Sequence, residues 1–235
     1  MRRIVFAVLA AVVVPVATLP ATPTLAQQQV DALPPELQIA LYSSDAGMMA
    51  EMIARLTGGN PAMVAELSAK LLAAAGSVAS SEPEMAVAAL GVAMTALSAP
   101  DVIAAAPKVV ADALVVAGQV ASKPEVIQAN PAAAASALEV VVGLASNPKV
   151  FAASPSAAKA AMVNAMATAR LPAMQAGAPQ LQAQLTFALM SAASDPQLLR
   201  VDPTLGSALA EAVSGPRAPA KGSQGALNPR NPSPT

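Results

Sequence analysis

The sequence predicts an all-α protein, an α-solenoid of the right-handed type built from 24-residue units of one long and one short helix. Three observations predict it. Prolines fall at 61, 83, 107, 131, 155, 179 and 203, spaced by 22 and then five times by 24. A second series at 100, 124, 148, 172 and 196 always follows the first by 17 residues. The residues between these prolines are strong helix formers, and the composition (55% hydrophobic, 2% aromatic) offers few large rings for a sandwich or barrel core. A compact α-helical bundle with regular loops is the alternative architecture.

The chain opens on Arg2 and Arg3, followed by an uncharged apolar run from Ile4 to Val16. Pro20 and Pro23 then precede Thr24-Leu25-Ala26, a small-x-small cleavage pattern. Residues 1–26 thus read as a secretory signal peptide, cleaved after Ala26, and too short in its apolar part for a comfortable membrane span. The expected location is exported, either periplasmic or extracellular.

Residues 27–60 are off the repeat's register and read as an N-terminal helical cap. Pro34-Pro35 opens one helix, Asp45 opens another, and Thr57-Gly58-Gly59 closes it. The repeats occupy 61–216. Each first proline suits the opening turn of a helix, where its missing N–H would have no partner. Asn60, Asn130, Ser154 and Asp202 precede four of the seven first prolines and are expected N-caps. The second proline stops the long helix and starts a short one. Ser98 and Ser122 stand three residues before Asp101 and Glu125, the spacing of a capping box.

Counting each first proline as position 1, positions 3, 4, 7, 8, 11, 14 and 15 gather on one helical face. Position 8 carries Leu90, Leu114, Leu138 and Met162, and position 7 carries Ala89, Ala113, Ala137 and Ala161. A large column beside a methyl column lets neighbouring helices approach and interdigitate. The short helices add Val102-Ile103, Val126-Ile127, Val150-Phe151 and Leu198-Leu199. One unit cannot bury these residues alone, whereas stacked units can. Seven units, each advancing by one helix diameter, give a length on the order of 60 Å. Residues 217–235 are rich in Pro, Gly, Ser and Asn and read as a disordered basic tail. Its Arg217, Lys221 and Arg230 give +3, against −6 for residues 31–216, which hold 14 acidic and 8 basic residues.

Composition excludes several chemistries. The chain has no His and no Cys, so disulfides, thiol nucleophiles, Cys/His zinc sites and histidine relays are ruled out. A net charge of −1 supplies no basic field for nucleic acid. The acidic residues are scattered singly, and Gly58-Gly59-Asn60-Pro61 lacks the Lys-Ser/Thr of a phosphate loop. No catalytic residue, cofactor or metal site is expected, and the chain reads as a non-enzyme.

Binding is the better expectation. Positions 2, 6, 9, 13 and 16 should face solvent, yet position 9 carries Val115, Val163 and Phe187, with Glu139 between the first two. A line of apolar side chains there would form a shallow groove for a protein partner. In the unit 155–178, Lys159 replaces small or apolar residues and Arg170 replaces Ser or Gly. Eleven residues apart on nearly one face, with Gln175, Gln180, Gln182 and Gln184 nearby, they form a candidate polar or anionic contact. The functional expectation is an exported non-catalytic protein-binding or scaffold solenoid. One alternative is a self-assembling structural protein, a filament or surface layer. Another is a peripheral protein associating with a membrane surface.

Overall fold

The computed structural model describes residues 29–215; the expected signal peptide and basic tail lie outside them. The described residues are all-α, with fourteen helices after a single helical turn at 29–31. Two open the chain: α1 (Pro35–Tyr42) and α2 (Ala46–Thr57). The long helices of the units are α3 (Pro61–Val78), α4 (Pro83–Leu97), α6 (Pro107–Ala121), α8 (Pro131–Ala145), α10 (Pro155–Ala169), α12 (Leu181–Ala193) and α14 (Leu205–Ser214). Between them run the short helices α5 (Pro100–Ala105), α7 (Pro124–Ala129), α9 (Pro148–Ala153), α11 (Pro172–Gly177) and α13 (Pro196–Val201).

Proline sets most of these starts. It occupies the first turn of every helix from α3 through α11, and of α13. The exceptions are α12 and α14, where Pro179 and Pro203 lie in a turn and the helix begins two residues later. Of the expected N-caps, Asn60 accepts from the backbone N–H of Ala62, and Asn130 from that of Ala133. Asp202 accepts from the N–H of Thr204. Ser154 does not cap; its hydroxyl lies 3.4 Å from an Asp112 carboxylate oxygen. Asn147 and Asp195 cap the short helices α9 and α13 instead.

The capping-box expectation for Ser98 and Ser122 is overturned. Both serines sit in right-handed helical conformation at the end of the preceding long helix. Their hydroxyls donate back to the carbonyls of Met94 and Gln119. Ser146 and Ser194 do the same to Val142 and Met190. A residue still in helical φ/ψ has its side chain beside the previous turn's carbonyls, not the next helix's amides. These serines therefore donate to carbonyls in the last turn of the long helices, and those of Met94 and Val142 also accept the serine's own backbone N–H.

The long helices make their contacts in a fixed pattern. Among the described residues, each packs against the next long helix and the next but one. Alternate helices thus form two rows, α3–α6–α10–α14 and α2–α4–α8–α12. Within a row the helices run parallel: Lys159 and Arg170, near the two ends of α10, reach Asp202 before α14 and Val213 near its end. The short helices α5 and α9 cover the first row, and α7 and α11 cover the second. At one such place Gly177 is required, because a Cβ would stand 2.4 Å from the Pro131 ring. The stack advances by one helix diameter, ~10 Å, per pair of units, so the length expected from single-unit steps is about halved.

Sandwiching between four neighbours widens the buried face. Positions 4, 7 and 8 are buried in α4, α6, α8 and α10 as expected. Position 12, not expected to be buried, is also covered there through Met94, Gly118, Val142 and Met166. A projection onto a single face does not include it, because it allows for fewer neighbouring helices than the stack supplies. The largest fully buried side chain is Phe151 on α9, which packs against α6, α10 and α13. Ser68, at position 8 of α3, is buried with no partner for its hydroxyl, an arrangement costing about 1–3 kcal/mol.

Candidate functional site

An apolar groove of 640 Å³ lies between α2 and α4, the first two helices of the second row. Local signals place α2. The Asp45 side chain accepts from the Met48 N–H at 3.0 Å, and Gly58 ends the helix at φ 56°, a left-handed conformation that glycine adopts without strain. On α2 the lining residues Ala46, Ala50, Ile53, Ala54 and Thr57 recur at three- and four-residue steps. On α4 they are Val87, Ala88, Gly91, Val92, Thr95 and Ala96. Ile53 and Val92 are buried, while Gly91 and Thr95 are exposed.

Small residues make the groove. A Cβ built at Gly91 would touch nothing within 4 Å, so this position opens onto free space. The Thr95 hydroxyl is spent on the Gly91 carbonyl at 2.9 Å. Asp101, at the start of α5, is the single charged residue in the lining. The surface is thus shaped for apolar contact, without converging acid, base or nucleophile. Among the described residues, no group of three or more Asp or Glu is placed to hold a metal ion.

The structure separates the position-9 residues. Val115 on α6 and Val163 on α10 lie in the first row, half-buried and packed against the core. Phe187 on α12 lies in the second row and is 79% exposed. Gly91 and Glu139, the other second-row residues at this position, are exposed as well. The apolar line expected from the sequence therefore divides between the two rows.

Lys159 and Arg170 have intramolecular partners. The Lys159 ammonium meets the Asp202 carboxylate at 2.6 Å and lies 3.3 Å from the Thr204 hydroxyl. Arg170 donates to the Val213 carbonyl, in the last turn of α14. A cation at a helix C-terminus is favoured by the unpaired carbonyls there. These two departures from the repeat thus clamp both ends of α14. Nearby, the Gln175 amide donates to the Gln182 side-chain oxygen at 3.2 Å.

The clamp carries a pH dependence. Hydrogen bonds from Lys159 and from the Thr204 hydroxyl and amide hold the Asp202 carboxyl down at about 2, from an ordinary 3.8. Because the folded value is the lower one, the stabilisation is complete above the ordinary value and is lost as pH falls through about 2. Asp202→Asn removes it at every pH. The stability gap between wild type and this variant should close on acidification across that window, read by thermal melts. A gap constant with pH would contradict the clamp.

The α2–α4 groove was not legible in the repeat, because α2 lies outside the proline register. Its signal was Ala46, Ala50 and Ala54 at steps of four, facing a glycine where other units carry Ala, Val, Glu or Phe. No family model matches the chain, and neither a curated protein nor a solved structure matches it.

Proposed function

We propose that the protein is an exported, non-catalytic α-solenoid scaffold that binds an apolar helical segment of a partner protein in the α2–α4 groove. The groove itself carries this reading: two row-neighbour helices present alanine, glycine and valine to open space. Small side chains on both walls let a third helix approach at the 8–10 Å typical of helix packing. An amphipathic helix laid into such a groove buries its apolar ridge and leaves its polar face in water. Asp101 at the rim favours a partner with a basic residue at the end of that ridge.

Support for a solenoid comes from the contacts of the long helices, which among the described residues join units one or two steps apart. Support for a non-enzyme comes from the absence of His and Cys and from a groove without convergent reactive groups. Support for export is the charged, apolar and small-residue pattern of residues 2–26.

Gly91→Trp tests the groove, because its side chain enters free space. The variant should keep its melting temperature, since a surface change of this kind costs about 0.5 kcal/mol or less. It should also lose a partner that wild type captures from the native extract. A partner held equally by wild type and Gly91→Trp would move the binding surface elsewhere.

A further inference from the structure

Large apolar side chains are exposed in two places only among the described residues: at residues 39–63 and at residues 171–201. The intervening stretch has none, so its repeats satisfy one another. At the first place Ile39 and Tyr42 on α1 are 66% and 60% exposed, and Met48 on α2 is partly so. At the second, Phe187 and Met190 on α12 are 79% and 59% exposed.

Met190 shows what is missing. It occupies position 12, which is buried in α4, α6, α8 and α10 by row packing. α12 is the last helix of its row, so no further helix covers that position. Beside it lies a recess of 210 Å³ lined by Leu189, Met190 and Ala193 of α12 and by Leu209, Ala210 and Val213 of α14. This is the seat that the next helix of the row would take. The end of the other row is finished differently: α14 turns Ser207, Glu211 and Ser214 outward.

We propose that copies of the chain join head to tail, with α1 and α2 of one copy seated on the α12–α14 end of the next. Ile39, Tyr42 and Met48 then cover Phe187 and Met190, and the incoming helices continue the row that α12 ends. Charge favours the same pairing. Residues 29–60 carry four acidic residues and Arg55, a net of −3, while residues 217–235, which follow α14 in the sequence, carry +3 against −2 for residues 179–215. The contact joins two different surfaces, so it does not close on itself and propagates from copy to copy.

The test uses the full-length protein and two pairs of substitutions at exposed positions. Ile39→Glu with Tyr42→Glu blocks one end; Phe187→Glu with Met190→Glu blocks the other. In sedimentation, wild type should gain mass in protomer steps as concentration rises, and each blocked variant should stay monomeric. An equimolar mixture of the two should form a species of two protomers and stop, because it retains one intact junction. Circular dichroism confirms that each variant is folded. Wild type that stays monomeric overturns the proposal, as does a mixture that does not pair, which would mark a symmetric contact. So does a chain truncated after Gly215 that associates where the full chain does not, since the tail would then be what covers α12.

Discussion

Deleting residues 107–154, two complete units, should leave a cooperatively melting helical protein. Deleting 107–130, one unit, should lower the melting temperature further, and deleting 107–118 should abolish folding. The order follows from the two rows. Removing two units takes out α6 to α9 and brings α10 and α12 into the row places that α6 and α8 held. Removing one unit sends every later helix into the opposite row. Glu139 would then occupy the half-buried place of Val115, and an unpaired polar group there costs about 1–3 kcal/mol. Val163 would move into the exposed second-row place. The half-unit deletion breaks a helix and leaves apolar faces unmatched. Thermal melts followed by circular dichroism give the ranking; equal damage from the one- and two-unit deletions would refute the alternation of rows.

Phe151→Ala should cost about 3–5 kcal/mol, the range for emptying a fully buried aromatic site. Phe151 is completely buried on α9, which packs against α6 and α10 of the first row and against the short helix α13. With no disulfide to hold the chain, that loss is a large part of the 5–15 kcal/mol typical of a folded domain. Phe187→Ala supplies the contrast. Its ring is exposed, and the change should stay within about 0.5 kcal/mol in the monomer. Denaturant titrations of both variants measure the difference, and comparable losses would place Phe187 in the core.

Most of the local structure was legible because its causes are local. A proline fixes φ and lacks an N–H, so it suits a first helical turn, and ten of the long and short unit helices begin on one. Asn60, Asn130 and Asp45 cap for the same kind of reason, since their partners lie two or three residues away. The serine columns were misread because Ser98 can bond forward to an amide or back to a carbonyl. Its own backbone conformation decides, and that depends on where the long helix ends. Pro179 and Pro203 were misread as helix starts, since each is carried in a turn before its helix. The expected polar contact at Lys159 and Arg170 was a departure from the repeat seen in sequence, but its partner helix lies more than thirty residues further on.

By itself, the sequence determined the helical content, the period, the two-proline punctuation and the lack of His and Cys chemistry. Those properties follow from residue identity and from interactions within a turn or two of helix. Only the tertiary structure decided that the 24-residue unit is half of the packing repeat. Val115 and Val163, two units apart, are half-buried in one row, whereas Gly91, Glu139 and Phe187 at the same position face solvent in the other. The same position on the same kind of helix thus meets two environments, because burial is set by which row neighbours lie across it. The α2–α4 groove and the uncovered face of α12 have that origin too: each is defined by the distance to a helix remote in sequence.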